Sequence, residues 1–339
     1  MPTGSYERYG LTGNPFRELA SENLDDVTIY HVNQAADASL RTIVDEVLDK
    51  ENRAVVAITG PQGAGKTERL LVAAAEAKEH HAFAVYFDVT TQSGWALRGL
   101  TAAFEKAARG EGLVKMLGAP AWLRSLTALA KAKGETYDPK VAGLRLGEAL
   151  NATAPSFLLL NDLHNLADSN ELDAFARTLE EVSGVIKPGV LVMFVCYASY
   201  LAWLTANQPA LASRINRSIP LAGLSDDEAR LVLAKKLLSK RIVEELEPTY
   251  PFDRDAVLEL NRAGRSNPRR LFELADLVLE RAVATRAYQI DGEFVRSTLA
   301  AREASPAGPP PWQEAPSTAH NEAPSAAPPL RRSGWGRSR

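Results

Sequence analysis

Eight consecutive residues, Gly60-Pro61-Gln62-Gly63-Ala64-Gly65-Lys66-Thr67, fit the pattern G-x-x-x-x-G-K-[ST] at every fixed position. Before them stands Ala54-Val55-Val56-Ala57-Ile58-Thr59, a β-branched run that reads as a buried strand. After them, Glu68 to Lys78 is rich in helix formers, with apolar residues at helical spacing. A strand that enters a helix through a glycine loop leaves few folds open. Glycines let the backbone curl until successive N–H groups point inward at an anion, beside the positive end of the helix. In such a loop Lys66 is placed to reach the β- and γ-phosphates of a nucleotide, and the Thr67 hydroxyl to hold Mg²⁺.

The rest of the chain is expected to build the sheet this unit needs. Further strands are expected at Ala82 to Asp88, Ser156 to Leu160 and Val190 to Cys196, with a short fifth near Arg217 to Leu221. Asp37 to Lys50 reads as an amphipathic helix, and Gly94 to Leu150 as helical, broken at Gly110-Glu111-Gly112 and at Gly134. Alternating strands and helices imply an α/β fold, a parallel sheet covered on both faces with its ligand at the strands' C-terminal ends. After Gly223 the character changes. Ser225-Asp226-Asp227-Glu228 is a capped helix start, and helices follow with no strand between them. From Ala304 onward Pro, Ala, Gly and Ser dominate, and such a segment buries too little apolar surface to order itself. The expected units are a strap (1–27), a nucleotide-binding α/β domain (28–223), a helical lid (224–300) and a tail (301–339) with a basic end.

Composition narrows the function. The chain has 339 residues and is 45% hydrophobic, enough for a substantial core. A formal net charge of −3 advertises no global field for nucleic acid, so any such contact must come from a local patch. The single cysteine, Cys196, excludes an internal disulfide and a zinc cluster, and fits a reducing cytosol. No signal-peptide core is seen near Glu7 and Arg8, and Val190 to Leu204 falls short of the ~18–20 residues that span a bilayer. The expectation is a cytoplasmic protein without membrane insertion.

A second constellation follows the third strand. Asn161-Asp162 sits where a phosphate-loop ATPase keeps its second acidic motif. There one acidic residue holds Mg²⁺ and the next polarises the attacking water. In this register Asn161 takes the metal position, keeping an oxygen but losing the charge that favours a divalent cation. Asp162 takes the water-activating position. The alternative register makes Asp162 the metal residue and buries Asn161 in the apolar run. A bare strand-end cap is the plain reading.

The loop, the Leu158-Leu159-Leu160-Asn161-Asp162-Leu163-His164 strand end and the helical C-terminal part together resemble the AAA+ ATPases. Similarity is greatest to the replication-initiator, helicase-loader and transposition-regulator branches, over about residues 10–300. The resemblance implies ATP and Mg²⁺ as cofactors and ATP hydrolysis, weakened by Asn161. It also implies a homo-oligomer in the ATP state and action on DNA or a DNA-bound protein. Ile29-Tyr30-His31 is similar to the segment lining the adenine pocket in that group, which makes Tyr30 a nucleotide contact. Asn14-Pro15-Phe16 resembles N-terminal straps of related secretion and transposition ATPases. Ser213-Arg214-Ile215 matches a finger that reaches a neighbour's γ-phosphate, with Arg217 the alternate. Asn267-Pro268-Arg269-Arg270 resembles the second sensor, Arg269 fitting best and Arg270 standing as alternate. For the first sensor, Tyr197 and Ser199 remain open, neither being the usual Asn or Thr. The catalytic set implied is Lys66, Asp162, Arg214 and Arg269.

Other conspicuous residues have plainer readings. His80-His81 suits a helix end and lacks metal spacing, and His164 is read as structural. Trp95, Trp122 and Trp203 sit among apolar residues and read as core. Lys235, Lys236, Lys240 and Arg241 read as a solvated basic helix face. Two other functions compete with a DNA-directed ATPase. One is a nucleotide-controlled scaffold that turns over slowly, favoured by Asn161; the other is a small-molecule kinase, disfavoured by the helical lid.

Overall fold

The structure, a computed structural model, describes residues 6–17, 35–89, 97–110, 120–131, 138–166, 172–243 and 245–303. Five parallel strands form one sheet: β1 (Ala54–Thr59), β2 (Phe83–Asp88), β3 (Ser156–Asn161), β4 (Val190–Cys196) and β5 (Arg217–Pro220). Their spatial order is β2-β3-β4-β1-β5. β1, β3 and β4 are buried at every residue, which is why each reads as an unbroken apolar run rather than an alternating one.

The two-residue period still sorts their side chains. Val55, Ala57, Leu158, Leu160, Val192 and Phe194 face one core; Val56, Ile58, Phe157, Leu159, Leu191 and Met193 face the other. The second face is covered by α1 (Ala35–Leu48) and α2 (Lys66–Glu79). The first is covered by α3 (Leu97–Gly110), α4 (Ala121–Lys131), α5 (Pro139–Ala152), α6 (Leu172–Val185), α7 (Ala198–Asn207) and the short α8 (Pro209–Ala212). α5 and α6 approach closely because α5 carries Gly143, where an added Cβ would lie 2.6 Å from the Thr178 carbonyl. The apolar stretch from Val190 divides into β4 and α7, and among the described residues no helix is long and apolar enough to cross a membrane.

Beyond β5 the described residues form the helices α9 (Asp226–Leu238), α10 (Arg254–Ala263), α11 (Pro268–Thr285) and α12 (Gly292–Glu303). The capping box at Ser225 forms: its hydroxyl accepts from the Glu228 N–H at 3.3 Å, and the Glu228 carboxylate accepts from the Ser225 N–H at 2.7 Å. These helices share a core of their own with Tyr6, Tyr9, Leu11 and Phe16. The described strap residues, 6–17, therefore dock on the helical part. Phe16 sits between Phe252 and Phe272, with ring centroids 6.0 and 6.1 Å away. The Asn14 side-chain amide donates to Asp276 at 2.6 Å, and Arg17 to Glu280 at 2.8 Å.

Several plain readings can be compared with the packing. Trp122 packs 5.8 Å from Phe83, and Trp203 lies against Tyr200 at the same separation, both as core. Trp95 lies outside the described residues. The basic face on α9 is a correction. Lys236 is buried, its ammonium 5.9 Å from the Phe272 ring, and Arg241 donates to the Pro248 carbonyl at 2.9 Å. Only a stem laid along apolar surface lets a lysine sit there.

Candidate functional site

The site is assembled where β1 and β3 end and α2 begins. Gly63 and Gly65 hold φ of +78 and +86, a left-handed backbone that a side chain resists. Gly65 is the N-cap of α2 and offers no side-chain cap bond, so the first-turn N–H groups face the cavity with the positive end of the helix dipole behind them. α2 is braced from behind by a two-pronged ion pair. Arg69 Nε and Nη2 each meet a different oxygen of Asp37 on α1 at 3.1 Å, both residues being buried.

Lys66 is also buried. Its ammonium donates to the carbonyls of Gly60 at 3.0 Å and Pro61 at 2.9 Å, and stands 4.8 Å from the Tyr197 ring centre. Burial pushes its pKa down, while Asp162 and Cys196 pull it the other way. The Thr67 hydroxyl donates to Asn161 Oδ1 at 3.0 Å. Geometry thus sets Asn161, not Asp162, against Thr67. Asp162 follows with φ +52, a left-handed turn that aspartate tolerates better than most residues and that ends the strand. Burial raises its pKa; Lys66 lowers it and Asp88 raises it further.

These groups line a cavity of about 790 Å³, within the range of small-molecule sites. Tyr86, Asp88, His164 and Tyr197 share its wall. His164, read from the sequence as structural, packs against Tyr197 with ring centroids 4.0 Å apart and ring planes tilted by 45°. Of the two first-sensor options Tyr197 lines the cavity, and Ser199 is exposed on α7 away from it. Among the described residues no group of three or more His, Cys, Asp or Glu side chains is suited to hold a metal. Among the lining residues Thr67, Asn161, Asp88 and Asp162 offer a hydroxyl, an amide oxygen and two carboxylates, a hard-oxygen set that fits Mg²⁺ arriving with phosphate ligands.

The helical part closes one side. Arg265 and Ser266 hold φ of 54 and 57, and this strained turn aims Asn267 at the phosphate loop. Asn267 Oδ1 caps α11, accepting from the Arg269 and Arg270 N–H groups at 3.1 and 3.2 Å, while its Nδ2 donates to the Gln62 carbonyl at 2.6 Å. Arg269 lines the cavity mouth and pairs with Glu273 at 3.5 Å; Arg270 does not line it. Arg214 is exposed in the turn after α8 and lies outside this cavity. Arg217 lines a separate groove of about 610 Å³ between α1 and β5. Tyr30, with the proposed adenine segment, falls outside the described residues. Sequence reasoning passed over Tyr86, Asp88 and the loop contact of Asn267. The only available signal for Asp88 was an acid at the C-terminal end of an expected parallel strand.

No family model and no curated protein matches the sequence. Solved structures do. The Aeropyrum pernix ORC2 protein, solved in ADPNP–ADP complexes, is 17% identical, with a TM-score of 0.52 over 81% of this chain and 71% of that one. The A. pernix ORC1 protein, solved in complex with DNA, is 15% identical, with a TM-score of 0.52 over 84% and 68%. A Thermotoga maritima RuvB structure is 14% identical over 84% and 72%, at a TM-score of 0.47. Five parallel strands in this order, a phosphate loop after β1 and a helical part after β5 make this a AAA+ P-loop ATPase fold. Within that class its architecture is similar to that of the two A. pernix ORC proteins.

Proposed function

We propose that the chain binds ATP with Mg²⁺ and hydrolyses it slowly in isolation, using the nucleotide to assemble with copies of itself and to act on DNA or a DNA-bound protein. One observation carries the reading: Lys66 and Thr67 open a helix at a left-handed glycine loop, and Thr67 bonds to Asn161 at the end of β3. Phosphoryl transfer asks little covalent chemistry of a protein and much positioning. The loop N–H groups and the α2 terminus bind the β- and γ-phosphates. With nucleotide bound, Lys66 would exchange its two carbonyl partners for phosphate oxygens, and Thr67 and Asn161 would hold the metal. Mg²⁺ when bound supplies neutralisation of charge on the phosphate oxygens. Asp162 orients the attacking water, and Arg269 leans from α11 onto the nucleotide. Arg214 is exposed and does not line its own cavity, and we assign it to the nucleotide of a neighbouring copy.

Calorimetry with ATP in magnesium buffer tests the core of the reading, and no heat from folded, nucleotide-free protein ends it. Light scattering with and without a non-hydrolysable ATP analogue tests assembly. For DNA, the expected result is binding with a steep salt slope in the ATP state alone; none at ~50 mM salt removes that part. The weakened metal position at Asn161 favours a second reading, a nucleotide-controlled scaffold. ATP binding and assembly without measurable turnover would select it.

A further inference from the structure

Asn161 takes the place of an acid, yet its surroundings carry the charge it lacks. β2 lies beside β3, and Asp88 stands in register with Asn161. Asn161 Nδ2 donates to Asp88 Oδ1 at 2.8 Å and to Asp162 Oδ2 at 3.3 Å, while its Oδ1 accepts from Thr67 at 3.0 Å. Carboxylates only accept, so the two acids force the amide nitrogen toward themselves and leave the amide oxygen facing Thr67. The Tyr86 hydroxyl donates to Asp88 Oδ1 at 3.0 Å. Neither bond uses Asp88 Oδ2. Asp88 is an exposed residue that also lines the phosphate-loop cavity, so a bound nucleotide would cover it.

We propose that Asp88 supplies, from the neighbouring strand, the negative charge that Asn161 lacks for holding the metal of a Mg²⁺–nucleotide complex, with Tyr86 positioning the carboxylate. This rests on the nucleotide-binding reading above. Charge and oxygen donor are divided between two strands: Asn161 gives the neutral oxygen beside Thr67, and Asp88 gives the charge through the outer coordination sphere.

The test is calorimetry with a non-hydrolysable ATP analogue in EDTA and in magnesium, which reads the factor by which the ion tightens binding. Asp88→Asn is expected to weaken binding in magnesium while leaving the EDTA affinity no lower, because a carboxylate beside an unmetallated triphosphate only repels it. The substitution should thus cut that factor by at least roughly 10- to 100-fold, the usual cost of losing an outer-sphere partner. Tyr86→Phe should lower it less, again only in magnesium. The exchange variant Asn161→Asp/Asp88→Asn reverses the amide–carboxylate pair and should restore the factor; it also serves if the single substitution folds poorly. A structural role for Asp88 predicts a lower melting temperature, equal losses in both buffers and no restoration by exchange, and that pattern overturns the proposal. An unchanged magnesium factor in Asp88→Asn also overturns it, while the nucleotide-binding reading stands. If the unaltered protein binds the analogue in neither buffer, both fall.

Discussion

Asn267 does two jobs with the two ends of one amide, and substitution separates them. Its oxygen caps α11 through two N–H groups, and its nitrogen bonds the Gln62 carbonyl in the phosphate loop. Losing an Asn cap costs about 1 kcal/mol, within about 0.5–2. Losing one neutral hydrogen bond costs about 0.5–1.5 kcal/mol net. Asn267→Ala forfeits both, so its stability loss should come to about 1–3.5 kcal/mol. Asn267→Ser keeps an equally good cap but is one atom too short to reach Gln62. It should therefore lose only the hydrogen-bond share of stability, about 0.5–1.5 kcal/mol, and melt between the unaltered protein and Asn267→Ala. The Gln62 bond ties that carbonyl to α11, and on the nucleotide-binding reading it helps hold the loop in the shape that receives phosphate. Its loss should weaken binding of a non-hydrolysable ATP analogue by about 2- to 12-fold, the equivalent of the same hydrogen-bond energy. Thermal melting and calorimetry on both variants read the two effects. Tighter analogue binding by Asn267→Ser would refute the reasoning, because it would mean the contact must break before nucleotide enters.

Lys66→Ala should abolish analogue binding, and unchanged affinity would overturn the site itself. Arg214→Ala should bind ATP as before yet lose the concentration-dependent part of turnover, where such a finger is worth about 10³–10⁵ in rate; fast turnover by the free monomer would show that no neighbour is needed. Burial pushes the Cys196 thiol up to about 12, so the thiolate is scarce in the native protein at neutral pH. A thiol reagent should label it only on unfolding, or as pH climbs toward that value; prompt labelling of the folded protein at neutral pH would contradict its burial. Phe16 is fully buried against Phe252 and Phe272, and Phe16→Ala should cost about 3–5 kcal/mol, lowering the melting temperature with the secondary structure intact by far-ultraviolet dichroism.

Much of the fold was legible because its signals are local. Strands β1, β3 and β4 announce themselves as short apolar runs, and β2, expected from Ala82, begins at Phe83. β5 was the faintest, a four-residue edge strand with only Ile219 buried. The cap at Ser225 and the Pro268 helix start needed only neighbouring residues. The basic face of α9 misled because spacing alone does not say which lysine meets an aromatic ring from another helix. Lys236 does, and it is buried.

By itself the sequence determined the strand, the glycine loop and the helix that follows, since side-chain period, φ preference and helix propensity act within a few residues. It also determined that an amide, not an acid, ends β3. Only the tertiary structure decided what that amide would meet. Asp88 lies 73 positions from Asn161 and becomes its neighbour because packing on both faces orders β2 beside β3. Asn267 lies 205 positions from Gln62 and touches it because the helical part folds back over the loop. Such contacts follow from the summed burial of two sheet faces and a helical core, and no short stretch of chain encodes that sum.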